Sequence, residues 1–128
     1  MISVPVSVGE LIDKIIILKI KIKNIKESER KQKCIDEHDL LLNIAQENKY
    51  LYPEEMDELK KVNQKLWDIE NSIRQKTINK DFDDEFIELA QNSFRTNEAR
   101  AKIKWEINKL ANSEIIEQKE WVGYKESD

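Results

Sequence analysis

One cysteine, one histidine, two prolines and two glycines are all that the 128 residues hold of these types. A lone Cys34 excludes an intramolecular disulfide framework and suits a reducing compartment. So little glycine and proline excludes the turn-rich build of a β-sandwich or barrel. Gly9 and Gly123 are too far apart to form a Gly-rich phosphate loop. No apolar run approaches the roughly 20 residues of a membrane span, and no cationic-then-apolar leader opens the chain. Nor is there a basic excess: 22 Lys and Arg stand against 26 Asp and Glu, net −4, which argues against nucleic-acid binding. What is abundant is charge, 38% of residues beside 39% hydrophobic. That composition predicts long, solvated helices in a single cytoplasmic domain over 1–128.

The first residues alternate, Ile2, Val4, Val6 and Val8 against Ser3, Pro5 and Ser7, which predicts an extended N-terminal arm. Ser7 and Glu10 then have the spacing of a capping box, with Val6 and Leu11 as its staple. From there Val8, Leu11, Ile15, Leu18, Ile22 and Ile25 recur at helical spacing, predicting a first helix over about 8–27. Ser28 punctuates before a second helix, about 29–47, whose inward positions are Cys34 or Ile35, His38, Leu41 or Leu42, and Ala45. Pro53, Glu54 and Glu55 read as the first turn of a third, about 53–77. Asp83 is a good cap for a fourth, about 84–112. A tail from Ser113, containing Ile115, Ile116, Trp121 and Tyr124, is expected to be irregular. The predicted fold is all-α: an antiparallel four-helix bundle with an extended arm and an irregular tail.

Eight carboxylate pairs lie three residues apart, among them Glu10/Asp13 and Asp81/Asp84. About five are expected at random at this acidity, and several sit at helix starts, where the macrodipole favours acid. They do not make the dense quartet of a magnesium site. Cys34 and His38 share a helix face at ligand spacing, but no second Cys or His completes a zinc site, so core packing is the better reading. No metal, cofactor or catalytic residue is assigned. The lysine stripe Lys19, Lys23, Lys26 and Arg30 has no interleaved aromatics and reads as a solvated face.

The informative feature is polar chemistry where apolar residues are due. On the fourth helix the inward stripe runs Phe82, Phe86, Leu89, then Ser93, Thr96, Arg100, then Ile103, Ile107, Leu110. On the third, Asn63, Trp67, Glu70 and Arg74 flank the apolar stripe. If these helices form a hairpin turning near Lys80, facing residues sum to about 160. Asn63 then lies level with Asn97, Trp67 with Ser93 and Phe94, and Arg100 within a turn of Asn63. Buried polar groups so placed must satisfy one another or a ligand. The chain uses 18 Lys and only four Arg, yet Arg74, Arg95 and Arg100 all lie in this segment. Planar, bidentate donors are what lysine cannot supply. Two readings stay open: a register-fixing network of Glu70 with Arg74 and Asn63 with Asn97 and Arg100, or a ligand site. Trp67 is expected to be largely buried, with its indole N–H bonded in the patch or to water.

The opening Pro5-Val6-Ser7-Val8-Gly9-Glu10-Leu11-Ile12-Asp13-Lys14 resembles a small bacterial helical family of uncharacterised function. So do Asn63, Leu66-Trp67-Asp68-Ile69-Glu70, Phe94-Arg95-Thr96-Asn97, Arg100 and Ile107-Asn108, and the pattern adds Asn108 to the candidate ligand residues. The Asn, Trp, Glu and Arg pattern is more loosely similar to a second helical family encoded beside surface-polysaccharide glycosyltransferases. Neither resemblance implies a reaction.

The sequence therefore predicts a binding or accessory module whose patch (Asn63, Trp67, Glu70, Arg74, Arg95, Asn97, Arg100, Asn108) recognises an anionic metabolite such as a phosphosugar or nucleotide sugar. The alternatives are a small all-α enzyme of pyrophosphohydrolase or mutase type, and a purely structural interaction protein. The isoleucine-dense first helix, with Ile12, Ile16, Ile17 and Ile20 beyond its stripe, predicts a homodimer. No membrane or nucleic-acid partner is expected.

Overall fold

The computed structural model describes residues 1–119; the Trp121 and Tyr124 expectations lie outside the described residues. Four α-helices follow in order: α1 (Val8–Asn24), α2 (Ser28–Glu47), α3 (Pro53–Ile78) and α4 (Asp84–Leu110). Among the described residues there is no strand, and Met1 to Val6 are exposed and lie outside any helix. Among the described residues no helix is long and apolar enough to cross a membrane.

Local chemistry sets each boundary. The Ser7 hydroxyl accepts the Glu10 amide N–H at 3.1 Å and starts α1. Only that half of the capping box forms, because the Glu10 carboxylate goes to Lys104. α1 stops at Asn24, three residues before the expected end, where Ile25 turns extended. The chain then needs Glu27 as a cap: its carboxylate accepts the Glu29 and Arg30 amides at 3.0 and 2.9 Å. Glu27, not Ser28, is therefore the punctuation before α2. Asp83 caps α4 through the Phe86 amide as expected.

The scarcity of glycine shows at the other ends. α2, α3 and α4 are each followed by a left-handed residue, Lys49 (φ 60), Lys80 (φ 53) and Asn112 (φ 52). Next to each, an amide reaches back around the helix end: Tyr50 to Ala45, Asp81 to Lys76 and Ser113 to Asn108. These are Schellman closures, for which glycine is the unstrained residue. Here two lysines and an asparagine take its place.

α3 and α4 form the antiparallel hairpin, α1 lies against both of its helices, and α2 packs on α1 alone. Contacts from Gly9 to Asn108 and from Asp13 to Arg100 run α1 antiparallel to α4, hence parallel to α3. α1 is thus the central helix, covered from more than one side, which explains its isoleucine excess: Ile12, Ile16 and Ile20 are all buried within one chain. Val8, Leu11, Ile12, Ile15 and Ile16 make one core with Ala45, Leu59, Ile103 and Ile107. Gly9 lets α1 approach α4 this closely, since a Cβ there would stand 2.5 Å from the Lys104 carbonyl oxygen. His38 is buried and Cys34 half-buried, as core-facing residues of α2.

Candidate functional site

The foot of the hairpin, where α1 crosses it, holds a buried carboxylate. Asp13 is 1% exposed and lies between α3 and α4. Asn63 donates its side-chain N–H to Oδ1 at 2.8 Å. Arg100 donates Nε–H to both oxygens at 3.1 and 3.2 Å, and Nη2–H to Oδ2. A buried charge is tolerated when paired and hydrogen-bonded in this way. The pairing also fixes Arg100: its hydrogen bond to Asp13, foremost, holds the guanidinium above its ordinary pKa against the opposing effect of burial.

Around that pair the first turn of α1 is fully engaged. The Gly9 amide donates to Asn108 Oδ1 at 2.6 Å and the Val8 amide to Ser113 Oγ at 3.2 Å. Lys104, largely buried, sits 2.6 Å from Glu10, 3.8 Å from Glu117 and 3.9 Å from Asp13. A groove of about 590 Å³ opens over these groups. Asn97, Arg100, Ala101 and Lys104 of α4 line it, together with Val6, Ser7 and Glu10 from the start of α1 and Ile115, Glu117 and Lys119 from the segment after α4.

The candidate residues divide. Asn63 and Arg100 meet, as the hairpin register required, but they meet on Asp13 of α1 and not on Glu70. Asn108 joins the same region through Gly9. Asn97 borders the groove while donating back to the Ser93 carbonyl. Glu70, Arg74 and Arg95 are exposed, with Arg74 bonded to Asn71 and Arg95 to Asn92. Trp67 is half-buried, and its indole N–H has no partner among the described residues. The patch read from α3 and α4 is therefore two surfaces, one at the foot and one spread toward the tip.

Sequence reasoning missed Asp13, Glu10 and Lys104 as a group. A signal existed: Ile12, Ile16 and Ile20 form a second apolar stripe on α1, and Asp13 shares that face, three residues before Ile16 and seven before Ile20. A helix apolar on two faces is central, and a carboxylate on it needs a cation from a neighbour. Elsewhere, the buried Glu98 has one carboxylate oxygen without a partner, beside a more apolar groove along the outward face of α4. Among the described residues no three His, Cys, Asp or Glu side chains are gathered for a metal ion.

Comparison with known proteins gives a family. Over residues 2–126 the chain matches the profile of a family of unknown function, DUF6165, and it belongs to that family. No curated protein and no solved structure matches it.

Proposed function

We propose that this member of the family is a binding module that takes a small anionic ligand, of the phosphosugar or nucleotide-sugar class, in the groove at the foot of the hairpin. One observation carries the reading. Asp13 occupies the Nε–H and one Nη2–H of Arg100, while the Nη1 pair and the second Nη2–H have no partner among the described residues. Arg100 lines the groove beside Lys104. A guanidinium anchored on a buried carboxylate, with its outer donors unused, is preorganised for an oxyanion. Lys104 adds a second cation whose carboxylate partners, Glu10 and Glu117, are about half exposed.

Binding is favoured over turnover because both half-exposed carboxylates bordering the groove are already ion-paired to Lys104. Titration calorimetry with inorganic phosphate and with a uridine-diphosphate sugar tests the reading. Saturable binding is expected in the wild type. Arg100→Lys, which keeps the charge beside Asp13 and removes the outer fork, should weaken it about tenfold or more. Equal affinity in the two proteins would contradict it.

A second reading, a structural module, is favoured by the closure of Asp13 with Asn63 and Arg100, which needs no ligand. We also propose a homodimer, resting on the exposed Phe82, Ile87 and Phe94 of the outer hairpin surface, since α1 buries its apolar excess internally. Sedimentation as a strict monomer at micromolar concentration would count against it.

A further inference from the structure

We propose that residues 113–119 are a removable strap which fills the anion groove with a carboxylate of its own, so that ligand binding and strap release compete. The proposal rests on the anion-site reading above. After α4 the chain turns back over the start of α1: the Ser113 hydroxyl accepts the Val8 amide and donates to the Ile115 carbonyl at 2.7 Å. That turn carries Ile115, Glu117 and Lys119 to the groove.

Glu117 then stands where a ligand's oxyanion would. One of its oxygens is 3.8 Å from Lys104 Nζ and the other 3.3 Å from Lys119 Nζ. Carboxylate and phosphate oxygens compete for the same ammonium donors. Displacing Glu117 would free the Lys104 ammonium for the ligand, while Lys119 leaves with the strap, so the open groove loses a carboxylate that competes for Lys104. The hold on the strap is light. Glu114, Ile115, Glu117, Gln118 and Lys119 are exposed, and only Ser113 and Ile116 are half-buried. Exposed ion pairs contribute little and are screened by salt. A closed strap lowers the apparent affinity by the fraction of molecules that are open.

The test is phosphate affinity by calorimetry in the wild type, Glu117→Gln and Glu114→Gln, with amide hydrogen exchange of residues 114–119 followed in parallel. Glu114 carries the same charge on the same segment but does not line the groove. Glu117→Gln should bind phosphate on the order of five- to tenfold more tightly, and Glu114→Gln should match the wild type. By reciprocal linkage, phosphate should speed exchange across the strap in the wild type. If all three proteins bind equally and exchange is unchanged, the strap is overturned while the anion site stands. If Glu114→Gln tightens binding as much as Glu117→Gln, the effect is general charge and the strap is again overturned. If phosphate binds none of the three, the anion site fails, and the strap with it.

Discussion

Lys76 and Lys104 stand at opposite ends of the same hairpin, and each is ringed by three carboxylates. At the tip, Lys76 reaches Asp81, Asp83 and Glu85 at 3.4, 3.0 and 3.3 Å. At the foot, Lys104 reaches Glu10, Glu117 and Asp13 at 2.6, 3.8 and 3.9 Å. The lists look alike, yet their sources differ. All partners of Lys76 lie in the next few residues and serve to close a turn. Those of Lys104 come from α1 and from the segment after α4, so they join three parts of the chain. Beside Lys76 there is a loop; beside Lys104 there are a buried ion pair and a groove. A charge cluster acquires functional interest when distant segments build it.

The largest expected effect would break the foot. Arg100→Leu strands the buried Asp13 carboxylate and should cost about 3 to 5 kcal/mol in urea unfolding. Adding Asp13→Asn should recover most of that loss, because the partner is no longer charged. If the single change is neutral, Asp13 is not the residue that holds Arg100. Next comes Gly9→Ala, whose methyl group would meet the backbone of Lys104 and the Asn108 side chain. The neighbour is backbone and cannot swing aside, so a loss of about 2 to 3 kcal/mol is expected. An unchanged melting temperature would mean that α1 does not lie this close to α4.

The tip should respond less, and in one case favourably. Lys80→Gly relieves a left-handed residue that costs roughly 1 to 2 kcal/mol, partly offset by the greater freedom of glycine in the unfolded chain. A net gain of about 0.5 to 1 kcal/mol should appear, with phosphate binding untouched. The smallest effect is pH-dependent. The Phe86 amide first, then Lys76, hold the Asp83 carboxyl below the usual carboxylate range. A depressed folded-state pKa gives stability that is full above the ordinary carboxylate value and is lost as pH falls through the depressed one. Asp83→Asn should therefore be less stable than the wild type at neutral pH, with the gap closing below about pH 4. A gap that does not narrow as the pH falls would assign the effect to something other than this charge.

How far the sequence could be read follows the same division. The helix-forming signals are local: Ser7, Pro53 and Asp83 mark three of the four starts, and a glycine-poor, charge-rich composition gives the all-α class. The hairpin register was legible too, because a single short turn near Lys80 fixes which residues of α3 and α4 face each other. Hence Asn63 and Arg100 were placed together. Asp13 was not, because nothing in local periodicity says which neighbour a third helix approaches. Its stripe through Val8, Leu11, Ile15 and Leu18 leaves Asp13 on the opposite face, which reads as solvent-facing until the packing order is known. The arginine bias pointed to the right helix but gathered too much. Arg74 and Arg95 lie toward the tip, where each bonds an asparagine three residues back on its own helix.

The most direct test of the foot as an anion site is the arginine side-chain N–H spectrum of the wild-type protein during a phosphate titration. The chain has four arginines, so the signals can be assigned by single Arg→Lys replacements at Arg30, Arg74 and Arg95. Arg100 should give a protected, downfield Nε–H from its bond to Asp13 before any phosphate is added. Saturating phosphate should then shift the Arg100 Nη signals and leave those of Arg30, Arg74 and Arg95 in place. Equal small shifts at all four, or none at Arg100, would contradict the account.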